Sequence, residues 1–244
     1  MICASSAATL EEFEYCERLS VQAKADNAAP IGAPPLGAPP LLPCFAVHPQ
    51  MPLALGNTAR KLLQDGLSVL DALAAQGRLC AVGETGFDLY NADFRETEKA
   101  QDELFAAHLE TCLRYELPLV IHSRRATHKV FACAAALKKC RAVIFHSWSG
   151  TAEEGDALLR RGVNAFFSFG AAITLNHREA MRCCAAFPVE RLLTETDAPF
   201  QPPRGREFSR YADISAILGA MEALRGGGVK MEKIIETNFS AVFC

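Results

Sequence analysis

Short apolar runs alternate with longer amphipathic stretches from one end of this chain to the other. The runs span residues 2–5, 44–48, 79–84, 117–122, 142–146, 164–169 and 192–195, each four to six residues long. Parallel strands covered on both faces read this way, as continuous apolar segments rather than alternating ones. Helical patterns lie between them, at 9–24, 57–75, 96–115, 127–139, 152–161, 178–186 and 211–225, with a last one at 230–243. Thr9 opens the first of these with Glu12 three residues on, the spacing of a capping box. Strands alternating with helices imply parallel β-α-β units. Seven such units are visible, whereas a closed barrel takes eight. The expected fold is therefore α/β, a TIM-like (β/α) barrel that is incomplete, formed as a single domain over residues 1–244.

One segment breaks the alternation. Residues 30–43 hold six of the 13 prolines and contain GAPPL twice. Proline has no N–H to give a sheet and clashes within a helix. The segment is expected to be an extended, polyproline-like loop. It serves either as a stiff connector or as a proline-motif ligand for a partner. Hydrophobic residues make up 50% of the chain, enough for a large core. The net charge of −3 excludes a basic field over the whole surface, so any phosphate recognition must be local. The ten cysteines are scattered, with no C-x-x-C, as expected of reduced thiols in a cytoplasmic protein. No signal peptide and no apolar run of membrane-spanning length is expected.

Four polar residues stand at the C-terminal ends of expected strands: Glu84 in AVGETGFD, His122 in LVIHSR, His146 in VIFHSWSG and Asp197 in LLTETDAP. In (β/α) barrels the loops after the strands converge on one mouth, so these four are expected to meet there. Two imidazoles and two carboxylates form a nitrogen and oxygen donor set suited to Zn²⁺ or a related divalent cation. A cation of this kind lowers the pKa of a bound water towards ~7. Asp197 is placed to accept the proton as general base, and Glu84 to bridge two ions. His48 in FAVHPQ ends a strand at the same rim, Arg124 follows His122 by two residues, and Arg204 follows Asp197. Arginine suits phosphate oxygens. His108, His128 and His177 fall on helical patterns and are read as structural or surface residues.

The motifs FAVHPQ, AVGETGFDLY, LPLVIHSR, IFHSWSG and LLTETDAPF followed by RG, with the closing IIETNFSAVF, resemble in order those of the TatD family of metal-dependent deoxyribonucleases, within the amidohydrolase superfamily. The resemblance implies metal-dependent hydrolysis of DNA phosphodiesters, with one or two divalent ions (Zn, Mg or Mn) per chain. It implies Glu84 bridging two metals, His122 and His146 on one of them, and Asp197 on the other and in proton transfer. His48, Arg124 and Arg204 fall on the phosphate side. The family's opening strand carries H-x-H, and no H-x-H occurs here. By that pattern the first strand and its two ligands are missing, either through truncation or by nature. Weakened metal occupancy and impaired catalysis are then expected, along with a homo-oligomer formed through unpaired sheet edges. Two alternatives stay open: a hydrolase of a small ester, lactone or amide, and a non-catalytic scaffold of the same fold.

Overall fold

The structure, a computed structural model, describes residues 2–27, 41–56, 59–228 and 230–243. In chain order its elements are β1 (Cys3–Ala7), α1 (Leu10–Asn27), β2 (Leu41–Phe45), α2 (Met51–Leu55), α3 (Ala59–Ala75), β3 (Ala81–Asp88), α4 (Ala92–Glu96) and α5 (Glu98–Arg114). There follow β4 (Leu119–Arg124), α6 (Thr127–Ala132), α7 (Ala134–Leu137), β5 (Val143–Phe145), α8 (Ala152–Arg160) and β6 (Ala165–Phe169). The last elements are α9 (Ala171–Thr174), α10 (Arg178–Ala186), β7 (Leu192–Thr194), α11 (Ile214–Leu224) and α12 (Met231–Phe243). The strands are hydrogen-bonded in chain order from β1 to β7. Packing divides the chain into two compact halves, Met1–Val120 and Ile121–Cys244.

In the first half, β1 pairs with β2 and β2 with β3, both parallel, with Ala7 opposite Phe45 and Phe45 opposite Val82. The capping box forms as the spacing predicts: the Glu12 N–H donates to Thr9 Oγ1 and the Thr9 N–H to Glu12 Oε2, each at 3.2 Å. Phe13, Phe45, Phe87, Leu70 and Leu119 are fully buried. Gly83 admits no side chain, because a Cβ there would lie 2.4 Å from Val120 Cβ.

In the second half, β5 pairs with β6 and β6 with β7, again parallel. An aromatic cluster fills its interior. The rings of Phe167 and Phe187 stack at 4.3 Å, and Trp148 meets Phe145 and Phe167 edge-on at 5.3 and 5.0 Å. Asn238 of α12 ties that helix to the strands by donating to the carbonyls of Val189 and Leu192 at 2.9 and 2.8 Å.

Element boundaries differ from the expected ones in instructive places. β3 runs on to Asp88, so Glu84 lies inside the strand rather than at its end. The helix expected at 96–115 is two helices with a junction at Thr97, whose hydroxyl donates to Phe94 O at 2.8 Å. Two short helices, α2 and α9, form in stretches between the expected strands and helices. The proline segment also needs correction. Residues 28–40 lie outside the described residues, but Leu41–Pro43 belong to β2, not to a loop. Pro43 is tolerated because register with β3 begins one residue later, at Cys44 opposite Ala81. Its carbonyl still accepts from the Cys80 N–H at 3.0 Å.

Candidate metal centre

In the first half, the loop after β2 carries His48, and β3 carries Glu84. Glu84 is the one residue of β3 that is not fully buried. A carboxylate survives in an otherwise enclosed strand where it keeps access to water or to a cation. Glu84 Oε1 lies 3.5 Å from His48 Nε2. The Gln50 N–H donates to His48 Nδ1 at 3.3 Å, which makes Nδ1 an acceptor and places the ring proton on Nε2. In that tautomer His48 presents a donor towards the carboxylate.

The loop carrying His48 is fixed from both sides. The Val47 N–H donates at 2.9 Å to Nε2 of the fully buried His108, whose Nδ1 lies 2.5 Å from Leu104 O. Burial pushes the His108 imidazole down to about 4, against the smaller opposing effect of the Leu104 carbonyl, so the ring is neutral. Gln50 donates from Nε2 to the buried Asp88 Oδ2 at 2.7 Å. Gln101, also buried, accepts the Asp88 N–H at 2.8 Å and donates to Asp88 O at 3.0 Å.

In the second half, His122 lies in β4, His146 directly follows β5, and Asp197 lies beyond β7. The rings of His122 and His146 stack with centroids 6.1 Å apart. His146 Nδ1 sits 3.0 Å from Glu195 Oε1, and its Nε2 sits 3.9 Å from Asp197 Oδ1. A histidine that gives its Nδ1 proton to a carboxylate keeps the Nε2 lone pair for a metal and is held in the correct tautomer. The His146 Nε2 and Asp197 Oδ1 atoms are two donors that face each other at 3.9 Å, wider than the ~3.3 Å between neighbouring donors of a tetrahedral Zn²⁺ site. Burial works to raise the Glu195 carboxyl, but the charge and hydrogen bond of His146, with bonds from Ser147 and Ser168, hold it below the ordinary carboxylate range. Glu195 is therefore an anion that orients His146.

Gln201 completes this arrangement. Its Nε2 donates to Ser147 Oγ at 2.6 Å and to Asp197 Oδ2 at 2.8 Å, and Ser147 Oγ donates to Glu195 Oε1. Ser147, Asp197 and Gln201 all have left-handed backbones, with φ of 43°, 53° and 50°. Three such residues joined by side-chain hydrogen bonds hold strain where a set of donors is aimed. Arg124, at the end of β4, and Arg204, in a turn after Asp197, are exposed.

The structure thus brings His48 to Glu84, and His122 and His146 together with Asp197, each group within its own half. His108 and His177 take structural roles, the latter capping α10 by accepting the Ala180 N–H. Among known families, that of TatD related DNase matches residues 36–244. The chain belongs to this family. It is 35% identical over 164 residues (65% of this chain, 58% of the relative) to an uncharacterized metal-dependent hydrolase, TatD, of Mycobacterium tuberculosis. It is 31% identical over 181 residues (71% of this chain, 66% of the relative) to the uncharacterized metal-dependent hydrolase YcfH of Escherichia coli. A 3'-5' ssDNA/RNA exonuclease TatD of Escherichia fergusonii is 32% identical over 133 residues (54% of this chain, 50% of the relative). The chain spans between 50% and 66% of the length of these relatives. The crystal structure of YjjV, a TatD homologue of Escherichia coli, superposes with a TM-score of 0.78 at 23% identity, over 98% of this chain and 85% of that one. A TatD family hydrolase of Entamoeba histolytica gives 0.72 at 16% identity, over 99% and 84%. These likenesses establish the TIM-like α/β barrel fold expected from the strand and helix pattern.

Sequence reasoning missed Glu195, Gln201, Ser147 and Asp88. The signal for Glu195 was present. It stands two residues before Asp197, and residues two apart in an extended segment share a face. Gln201 and Ser147 carry no motif of their own and become visible only through the left-handed backbone that turns them inward.

Proposed function

We propose that this chain is a metal-dependent hydrolase of phosphodiester bonds in DNA. Glu84 in the first half, and His122, His146 and Asp197 in the second, would hold the divalent cations, Zn, Mg or Mn. The observation that carries the reading is the chain of contacts from Glu195 to His146 Nδ1 and from His146 Nε2 towards Asp197. An imidazole oriented by a half-buried carboxylate, with its second nitrogen beside another carboxylate, has the form of a metal ligand rather than of a core histidine. His48, in the loop after β2, and Glu84, within β3, add a donor and a carboxylate 3.5 Å apart.

A divalent cation, when bound here, makes a coordinated water more acidic and polarises a phosphoryl oxygen. The residues of the chain do the rest. Asp197 is placed to take up the proton of an attacking water as its oxygen bonds to phosphorus. The opposite P–O bond breaks, and the departing oxygen gains a proton from solvent. His48 donates a hydrogen bond through Nε2–H, and the guanidinium groups of Arg124 and Arg204 offset the charge of phosphate oxygens that do not react.

The test is direct. The purified chain is incubated with 5′-labelled single-stranded DNA, with bis(p-nitrophenyl) phosphate and with p-nitrophenyl acetate, in Mg²⁺, Mn²⁺ or Zn²⁺, with a chelator control. Metal-dependent nucleotide release, lowered at least ~10²-fold by Asp197→Asn, is expected. Cleavage of the acetate with neither phosphodiester attacked would move the assignment to small esters.

A further inference from the structure

The segment after Asp197 holds three large aromatic rings in solvent: Phe200 is 69% exposed, Tyr211 62% and Phe208 46%. Single exposed apolar residues are ordinary, but three within twelve residues call for a use. The segment is firmly tied down. The Phe200 N–H donates to Asp197 O at 2.6 Å, and the Ser209 N–H to Pro199 O at 3.1 Å. Ser209, itself buried, also donates from its hydroxyl to Phe200 O. Arg206 pairs with Asp213 at 2.5 Å, and the Arg210 N–H donates to the same carboxylate at 2.8 Å. The backbone therefore turns Ser209 inward and its neighbours Phe208 and Arg210 outward. The Arg210 guanidinium lies 5.3 Å above the Phe208 ring.

Charge decides what such a surface can recognise. At a net charge of −3 the chain has no long-range attraction for a polyanion. Binding to nucleic acid must then come from short-range contacts. Stacking of bases on aromatic rings supplies ~1–3 kcal/mol per base and accepts any base, because every base has a π-face. We infer that Phe200, Phe208 and Tyr211 form a stacking platform for the unpaired bases of a single-stranded polynucleotide, with Arg204 and Arg210 beside its backbone. The segment follows Asp197 in the chain and is bonded to it through the Phe200 N–H, and the platform rests on the phosphodiesterase reading for its purpose.

Fluorescence anisotropy of a labelled oligothymidylate, compared with an abasic strand of equal length, tests the inference. Bis(p-nitrophenyl) phosphate hydrolysis in Mn²⁺ is followed in parallel. Phe208→Ala and Tyr211→Ala should each weaken oligothymidylate binding ~5- to 150-fold. The abasic strand and the small diester should be unaffected, and Tyr211→Trp should restore binding. Equal affinity of the native chain for the two strands would overturn the platform. So would alanine variants that change elution from dimer to monomer, which would assign the rings to a second copy of the chain. Ring-dependent oligothymidylate binding without any diester hydrolysis would retain the platform and remove the phosphodiesterase reading.

Discussion

Acidification should weaken the first half of the molecule through one residue, His108, and the size of the effect follows from its surroundings. The ring is fully buried in α5, with Nε2 accepting the Val47 N–H at 2.9 Å. Burial lowers it from the usual 6.5 to about 4. A group depressed in this way stays neutral in the folded chain while its unfolded counterpart takes up a proton. Stability therefore falls as pH drops through ~6.5 and levels off below about 4. The full span of the shift corresponds to about 3 kcal/mol, of which about 2 kcal/mol is lost by about pH 5. Protonation of Nε2 also removes the acceptor for Val47, the residue before His48, so the loss begins at the candidate metal centre. His108→Leu keeps the volume and discards the titration. At about pH 7.5 it costs ~1–3 kcal/mol for the unsatisfied Val47 N–H. Urea unfolding at the two pH values, followed by tryptophan fluorescence and circular dichroism, gives the difference in stability for each protein. The native chain should lose about 2 kcal/mol more than the variant between them. An equal loss in both would refute the assignment of acid sensitivity to His108.

Three further outcomes follow from the same contacts. Glu195→Gln removes the anion that orients His146, and metal affinity measured by competition with a chromogenic chelator should fall ~10- to 100-fold with the fold intact by circular dichroism. Gln201→Leu loses both the Asp197 and Ser147 hydrogen bonds, so bis(p-nitrophenyl) phosphate turnover should fall while its KM changes little; an unchanged kcat would remove Gln201 from the positioning of Asp197. Gly83→Ala sets a Cβ 2.4 Å from Val120 Cβ, which should destabilise the chain by ~1–3 kcal/mol in thermal unfolding and weaken metal binding by displacing the adjacent Glu84.

Much of the architecture was legible because fully covered parallel strands leave a strong trace. Each of the seven apolar runs overlaps a strand and every strand among the described residues overlaps a run, although β2 shares only Cys44 and Phe45 with the run expected there. The boundaries were less legible for local reasons. Thr97 breaks one amphipathic pattern by hydrogen bonding to Phe94 O, a choice that periodicity does not encode. Pro43 enters β2 because only the side of the strand facing β3 loses a donor there, and that depends on register, not on composition.

The site shows the same division. His122, His146 and Asp197 were legible because a polar residue closing an apolar run is conspicuous, and β4, β5 and β7 bring them to one rim of the second half. Their supports were not, because Glu195, Ser147 and Gln201 act through backbone angles and hydrogen bonds that no spacing announces. That difference has a mechanistic consequence. A bare set of His146 and Asp197 would leave the imidazole free to choose either tautomer and would leave the carboxylate free to rotate. Glu195 settles the first choice by taking the Nδ1 proton, and Gln201 settles the second by holding Oδ2 and leaving Oδ1 towards His146. The candidate ligands suggest the chemistry, but it is the residues around them that fix the tautomer of His146 and the orientation of Asp197.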